Sequence, residues 1–375
     1  MWAFVRKISS QNYKRKGIRD RRSLLLNLEG KPDQDLGTLS GRFCYPVNIM
    51  KKALITGITG QDGHHLTKFL LERDYEVFGL INGQKNIGDL PFSNMFPTVK
   101  LIRGDLTDFS SLMNVVNESK PDEIYNLGAM SFVGMSFKQP ELTANVTGLG
   151  ALRLLEVIRS CNLQDKVKFY QASSSEMFGK VQETPQTEKT SFYPRSPYGV
   201  AKTFAHYSCV NYREAYGVHA SSGILFNHEG EFRGHEFVTR KITSNIAKIK
   251  LGLQSSFSLG SLTPKRDWGY AGDYVEAMWL MTQHEKPETY VISTGKTYSV
   301  QDFVEIALQV AGLENNIQKF VTFDQDMIRP SEVDLLVGDS TKAFNELGWK
   351  PKTSFEKLVE IMVENDLKLE HSKLN

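Results

Sequence analysis

The sequence predicts a doubly wound α/β fold, a parallel β-sheet covered by helices on both faces, with a smaller lobe toward the C-terminus. Three observations carry that prediction. Short apolar runs rich in β-formers alternate with amphipathic segments from Lys52 onward, a glycine-rich turn joins the first run to the first helix, and the alternation loosens after Phe226.

The strand-like runs lie at 53–56, 76–81, 99–103, 123–127, 167–172 and 219–226. Helical patterns occupy 66–72, 110–117, 149–160 and 198–216, and a last amphipathic helix spans 354–369. Polar clusters at 227–236 and 263–267 interrupt the alternation, as expected of a lobe built over the carboxyl edge of the sheet, where open α/β folds bind ligands. The expected organisation is a basic extension over 1–49, a dinucleotide-binding domain over 50–226, and a lobe over 227–375 with interleaved segments returning to the first domain.

Of the 375 residues, 45 are Lys or Arg and 43 are Asp or Glu, a net charge of +2. Residues 1–49 hold ten Lys/Arg against four Asp/Glu, so the rest of the chain carries −4. A mildly acidic body without a basic stripe argues against nucleic-acid binding and suits small anionic ligands in local cationic pockets. Cys44, Cys161 and Cys209 are widely separated, and His64 and His65 diverge by about 100° on a helix, so neither a disulfide framework nor a metal site is expected. No apolar stretch approaches the roughly 20 residues of a membrane span, and the expectation is a soluble, cytoplasmic chain with no membrane partner.

Segment 1–49 contains Lys14-Arg15-Lys16 and the cluster from Arg19 to Arg22 and has little periodicity. It reads as a disordered basic arm, a targeting peptide, or sequence upstream of a true start at Met50. The last is preferred, because Asp20, Glu29, Asp33 and Asp35 are out of place in an acid-poor transit peptide.

Gly57, Gly60 and Gly63 are spaced G-x-x-G-x-x-G, directly after a strand and opening a helix, with Gln61 and Asp62 inside the turn. Backbone without side chains can approach a pyrophosphate there, and helix-terminal amides stabilise its charge. Asp105, in Gly104-Asp105-Leu106 after the third run, can accept from an adenine amino group. The second run ends in Leu80-Ile81-Asn82-Gly83-Gln84-Lys85. It lacks the acid that binds a ribose 2′-hydroxyl, which favours NADP, with Lys85 as the nearby cation and NAD as the alternative.

Tyr198 and Lys202 lie four residues apart on one helix face, so an ammonium can favour the phenolate and let tyrosine act as a general base toward a sugar hydroxyl. Ser174, in Ser173-Ser174-Ser175-Glu176, would position the same hydroxyl. Glu176 adds a carboxylate that a simple dehydrogenase does not need. Once C4 of a hexose is oxidised the C5 proton is acidic, and a carboxylate can remove it and then protonate the departing C6 hydroxyl.

The chain resembles the extended short-chain dehydrogenase/reductases, and within them the GDP-mannose 4,6-dehydratases, over nearly all of 50–370. The resemblance rests on the stretches 55–63, 125–131, 169–173, 192–198, 225–229, 266–269 and 329–333. It implies a Rossmann-type fold and catalytic roles for Ser174, Glu176 and Tyr198. It implies cofactor contacts from Lys202, His228 and Arg233 and from Leu127, Gly128, Ala129, Met130 and Ser131. For the nucleotide-sugar, expected to be GDP-mannose, it suggests Asn227, Lys241, Arg266, Arg329 and Glu332. One departure is clear: Asn82 and Gly83 stand where the family usually has an Arg-Arg pair that reads the 2′-phosphate and aids tetramer contacts. A homodimer, or a homotetramer, is expected. The rival activities are another nucleotide-hexose dehydratase and a 4-epimerase or 4-reductase, and the rival class is a non-enzymatic NADP-sensing protein.

Overall fold

The computed structural model describes residues 50–83, 86–325, 333 and 335–374. The expectations for segment 1–49 and for Lys85, Arg329 and Glu332 fall outside them. The six expected strands form β1 (Lys52–Thr56), β2 (Glu76–Ile81), β3 (Lys100–Arg103), β4 (Glu123–Asn126), β5 (Lys168–Ser174) and β6 (His219–Leu225). With Thr289–Ile292 as a seventh strand, the order is β3-β2-β1-β4-β5-β6 and then the seventh, with every pairing parallel. The chain winds outward in one direction from β1 through β3 and in the other from β4. That reversal opens a crevice at the carboxyl ends of β1 and β4.

Side-chain parity sorts the strands between two cores. Leu54, Phe78, Leu80 and Ile124 pack with Leu112, Leu154, Ile158 and Cys209, from the helices Phe109–Ser119, Gly150–Ser160 and Pro197–Tyr216. On the other face, Ala53, Ile55, Val77 and Tyr125 pack with Leu66 and Leu70 of helix Gln61–Leu71 and with Val275 and Met278 of helix Ala271–Gln283. A one-residue slip in β1 would exchange Leu54 and Ile55 between these cores, and burying each such side chain contributes about 1.5–3 kcal/mol. Register is therefore strongly specified.

A third core joins Ile242 and Ile246 of helix Val238–Lys250, Phe303 and Leu308 of Val300–Val310, and Leu358 and Met362 of Phe355–Ser372. Ser299 and Asp302 form a capping box at the second of these helices, and Ser354 caps the third. Buried Arg240 pairs with Asp366 at 2.7 Å and also donates to the carbonyls of Glu231 and Arg233, fixing the loop after β6. Asp267 is fully buried and accepts from the amides of Thr294 and Gly295, at 2.8 Å each, which gathers loops from distant parts of the chain; burial raises its carboxyl to about 6.

One helix begins earlier than apolar periodicity indicates, and another is extended at its N-terminal end by irregular helix. The first helix starts at Gln61, because the glycine turn passes straight into it and its first turn is polar. Helix Gly150–Ser160 is preceded by a π-helical stretch, Ala144–Leu149. Among the described residues no helix is long and apolar enough to cross a membrane, and no group of three His, Cys, Asp or Glu is arranged to hold a metal ion.

Candidate active site

The glycine turn leaves β1 at Thr56 and enters the helix at Gln61. Gly57 has φ +67°, and a Cβ there would stand 2.8 Å from the amide nitrogen of Gly128. At Gly63 a Cβ would meet the Ile58 carbonyl oxygen at 2.1 Å. Both contacts forbid a side chain, so the turn can hold its tight course only with glycine. Gly60 is the helix N-cap and no side chain caps the first-turn amides, an arrangement suited to an anion. These features fit a dinucleotide diphosphate.

A chain of hydrogen bonds fixes the floor of the crevice. Thr56 Oγ1 donates to Asn126 Oδ1 at 2.7 Å and accepts from the amide of Gly128 at 3.0 Å. Asn126 donates to Gln171 Oε1 at 2.8 Å, and Gln171 to the Ala172 carbonyl at 3.0 Å. The loop Leu127 to Ser131 is held by this chain at one end and by the Met130 amide, which donates to Thr147 Oγ1 at 3.1 Å, at the other. Asp105 follows β3 by two residues. Its Oδ1 accepts from the amide and hydroxyl of Thr107, both at 2.7 Å, which fixes the carboxylate, and Leu106 lines the wall beside Gly128.

Ser174 ends β5 and caps the following 3-10 turn, Ser175–Met177, by accepting from the Glu176 amide at 3.2 Å. Tyr198 sits in the first turn of helix Pro197–Tyr216, which Ser196 caps through the Gly199 amide. A Cβ at Gly199 would stand 2.7 Å from the Glu176 carbonyl oxygen, so this glycine brings the helix start against the turn that carries Glu176. Burial holds the Tyr198 phenol well above its usual range; a hydrogen bond with Ser174 opposes that, and Glu176 adds to it.

Lys202 lies one helical turn on. Its Nζ donates to the Ala172 carbonyl at 2.6 Å and stands 5.7 Å from the centroid of the Tyr198 ring, and burial brings its pKa down to about 8. The ammonium is thus anchored on β5, under the phenol. One further turn along the same face, His206 Nδ1 lies 3.0 Å from Ser173 Oγ, and burial lowers the imidazole to about 4. The neutral ring fixes the residue that precedes Ser174.

His228 follows β6 on the short strand Asn227–Glu229, which pairs with Trp268–Tyr270. Its ring reaches back to the glycine turn, with Nε2 2.9 Å from Asp62 Oδ2 and Nδ1 2.8 Å from the Phe226 carbonyl oxygen. Arg233 pairs with buried Glu229 at 2.9 Å and stacks on Phe237. Asn227 lies opposite Trp268, and buried Arg266 stands two residues before Trp268, donating to the Lys265 carbonyl at 2.9 Å. Lys241 lies on helix Val238–Lys250; burial lowers its pKa and Asp324 opposes the shift.

The structure thus brings Ser174, Glu176, Tyr198 and Lys202 to one end of β5, and Asp62 and His228 to the neighbouring edge. Sequence does not single out Gly199, His206 or Arg103. The spacing Tyr198, Lys202, His206 at four-residue intervals is a signal for the second of these. Arg103, the last residue of β3, donates to the Gly83 carbonyl at 2.5 Å, so β3 brings a cation to the end of β2.

A family model described as GDP-mannose 4,6 dehydratase matches residues 54–362. The GDP-mannose 4,6 dehydratase of Homo sapiens is 49% identical over 362 residues, covering 90% of this chain and 96% of the human protein. Among solved structures, RMD from Pseudomonas aeruginosa complexed with NADPH superposes with a TM-score of 0.71 at 23% identity, covering 85% of this chain and 100% of that one. The dTDP-glucose 4,6-dehydratase from Bacillus anthracis in complex with NAD gives a TM-score of 0.73 at 20% identity, covering 87% and 100%.

Proposed function

As the chain belongs to the GDP-mannose 4,6-dehydratase family, we propose that it is an NADP-dependent hydro-lyase converting GDP-mannose to GDP-4-keto-6-deoxymannose. The observation that carries this reading is the meeting of Ser174, Glu176 and Tyr198 at the carboxyl end of β5, beside the glycine cradle.

Tyr198 takes the proton of the sugar C4 hydroxyl, and Ser174 orients that hydroxyl. The nicotinamide, when bound, supplies a hydride acceptor for C4 and a hydride donor for C6. Glu176 removes the C5 proton, made acidic by the C4 ketone, and protonates the C6 hydroxyl as it leaves, so that water departs; C5 regains a proton when C6 is reduced, which balances the proton taken by Tyr198. Lys202 supports the phenolate that accepts this proton. The dinucleotide is held by Gly57, Gly60 and Gly63, by Asp105 and Leu106, by the loop Leu127 to Ser131, and by His228 and Arg233. Asn227, Lys241 and Arg266, with Arg329 and Glu332, take the nucleotide-sugar, since arginine forks pair with diphosphate oxygens. A neutral Asn82 in place of an acid at the end of β2 supports NADP over NAD.

A 4-epimerase or 4-reductase would use the tyrosine, lysine and glycines without a C5 base, so Glu176 favours dehydration. Incubation with GDP-mannose deuterated at C4 tests the reading. The expected product is a 4-keto-6-deoxy sugar with deuterium at C6. Failure to release water from any nucleotide-hexose rejects dehydration, and loss of the label to solvent rejects internal hydride return.

The protein acts as a homodimer or a homotetramer in this reading. Val200, Phe204 and Tyr207 are exposed along one face of helix Pro197–Tyr216, an apolar stripe suited to a second copy. Phe204→Glu is expected to lower the mass measured by light scattering, and an unchanged mass would place the interface elsewhere. A reducing, cytoplasmic setting suits the free thiols Cys161 and Cys209.

A further inference from the structure

The end of β2 decides which adenine dinucleotide a doubly wound fold accepts. Here Ile81 runs into Asn82 and Gly83, neither of them charged, and the adjoining strand supplies a cation. Arg103 is in register opposite Ile81, is exposed, and donates through Nη1 to the Gly83 carbonyl oxygen at 2.5 Å.

Strand parity places this side chain on the face of the glycine turn. Ile102 packs into the core of the opposite face, whereas Leu101 packs with Ile58 and Val77. A Cβ at Gly79 would touch Ile58 at 2.5 Å and Leu101 at 2.8 Å, so the turn and β3 meet over that glycine. Arg103 stands two residues beyond Leu101 and projects to the same side. Asp105, its carboxylate fixed by Thr107, follows at the same sheet edge. Gly83 has φ +83° and open space where a side chain would be.

We propose that Arg103 is the specificity-determining residue for the 2′-phosphate of the dinucleotide, held over the end of β2 by the Gly83 carbonyl so that its planar fork pairs with the phosphate oxygens. The proposal rests on the reading of the glycine turn as a dinucleotide site that prefers NADP.

The test compares binding of NADPH, NADH, 2′,5′-ADP and 5′-AMP to the purified full chain by calorimetry, for wild type, Arg103→Gln and Lys85→Ala. Glutamine keeps a donor for the Gly83 carbonyl, which guards the fold. Wild type is expected to prefer the 2′-phosphorylated member of each pair, and Arg103→Gln to reduce that preference by at least about tenfold, as loss of a charge-assisted hydrogen bond requires. Raising the salt concentration should weaken NADPH binding more than NADH binding in wild type and equally in the variant. If wild type prefers NADPH and Arg103→Gln retains the preference, the inference is overturned while the cofactor assignment stands. If Lys85→Ala alone removes the preference, the role belongs to that lysine. If wild type binds NADH as well as NADPH, the cofactor reading fails and takes the inference with it.

Discussion

Asp62 and His228, 166 residues apart in sequence, form an ion pair with a 2.9 Å separation between the start of the glycine helix and the strand that follows β6. Both ring nitrogens of His228 face acceptors, Asp62 Oδ2 and the Phe226 carbonyl, so the protonated ring can donate to both. Burial works against both charges. It is outweighed by the pairing, which raises the His228 pKa above its usual value and holds Asp62 well below the carboxylate range.

Asp62→Asn should therefore destabilise the fold by about 1–3 kcal/mol, since the imidazolium loses its counter-charge yet can shed its proton. The pH dependence is specific. A depressed carboxylate stabilises above its unfolded pKa of 3.8, and a raised histidine stabilises below 6.5 and loses that stabilisation as pH rises through its folded value. Denaturant titrations should show wild type exceeding the variant most within that window. A difference that stays flat from pH 4 to 9 would contradict the ion pair.

Glu176→Gln is expected to separate oxidation from elimination. The variant should bind GDP-mannose and exchange hydride at C4, while water release falls by roughly 10²–10⁴, the usual contribution of a positioned acid or base. Elimination at the wild-type rate would remove Glu176 from the chemistry.

Gly199→Ala adds a methyl 2.7 Å from the Glu176 carbonyl oxygen. The helix tolerates alanine well, so the cost is steric, about 1–3 kcal/mol of strain relieved by moving the turn. The expected result is a clear drop in kcat with helical content retained, measured by turnover and far-ultraviolet circular dichroism. Unchanged kcat would mean that the turn position is irrelevant to catalysis.

Burial lowers Lys202 to about 8, and the proposed role predicts an alkaline limit on activity. kcat/KM should fall about tenfold per pH unit above that value, and Lys202→Arg should move the limb upward. The linkage has the opposite sign for stability. Between about 8 and 10.5 the unfolded chain binds more protons than the folded one, so this group makes stability rise with pH there, and Lys202→Met should abolish that slope. A slope retained in Lys202→Met would assign it to another group.

The sheet and its crevice were legible because their signals are local. Gly57, Gly60 and Gly63 must lie on one turn, and Tyr198 and Lys202 on one helix face, whatever surrounds them. Other features depend on tertiary approach. Nothing near Asp62 in sequence indicates that its partner is His228, and Arg103 looks like an ordinary exposed strand residue until the register sets it opposite Ile81. Gly199 reads as a small residue near a helix start until the Glu176 carbonyl is placed against it. The seventh strand is only four residues long and arrives after a run of lobe segments, too short to give a periodicity of its own.

That strand has a consequence for biosynthesis. Thr289–Ile292 covers the outer edge of β6 along Ser222–Leu225, and the Glu188 carboxylate in turn accepts from the Val291 amide at 2.7 Å. A ribosome delivers β6 well before its cover, so the nascent sheet is expected to present a bare hydrogen-bonding edge between the emergence of β6 and that of Thr289–Ile292. Chains terminated in that interval are the ones expected to accumulate as insoluble material.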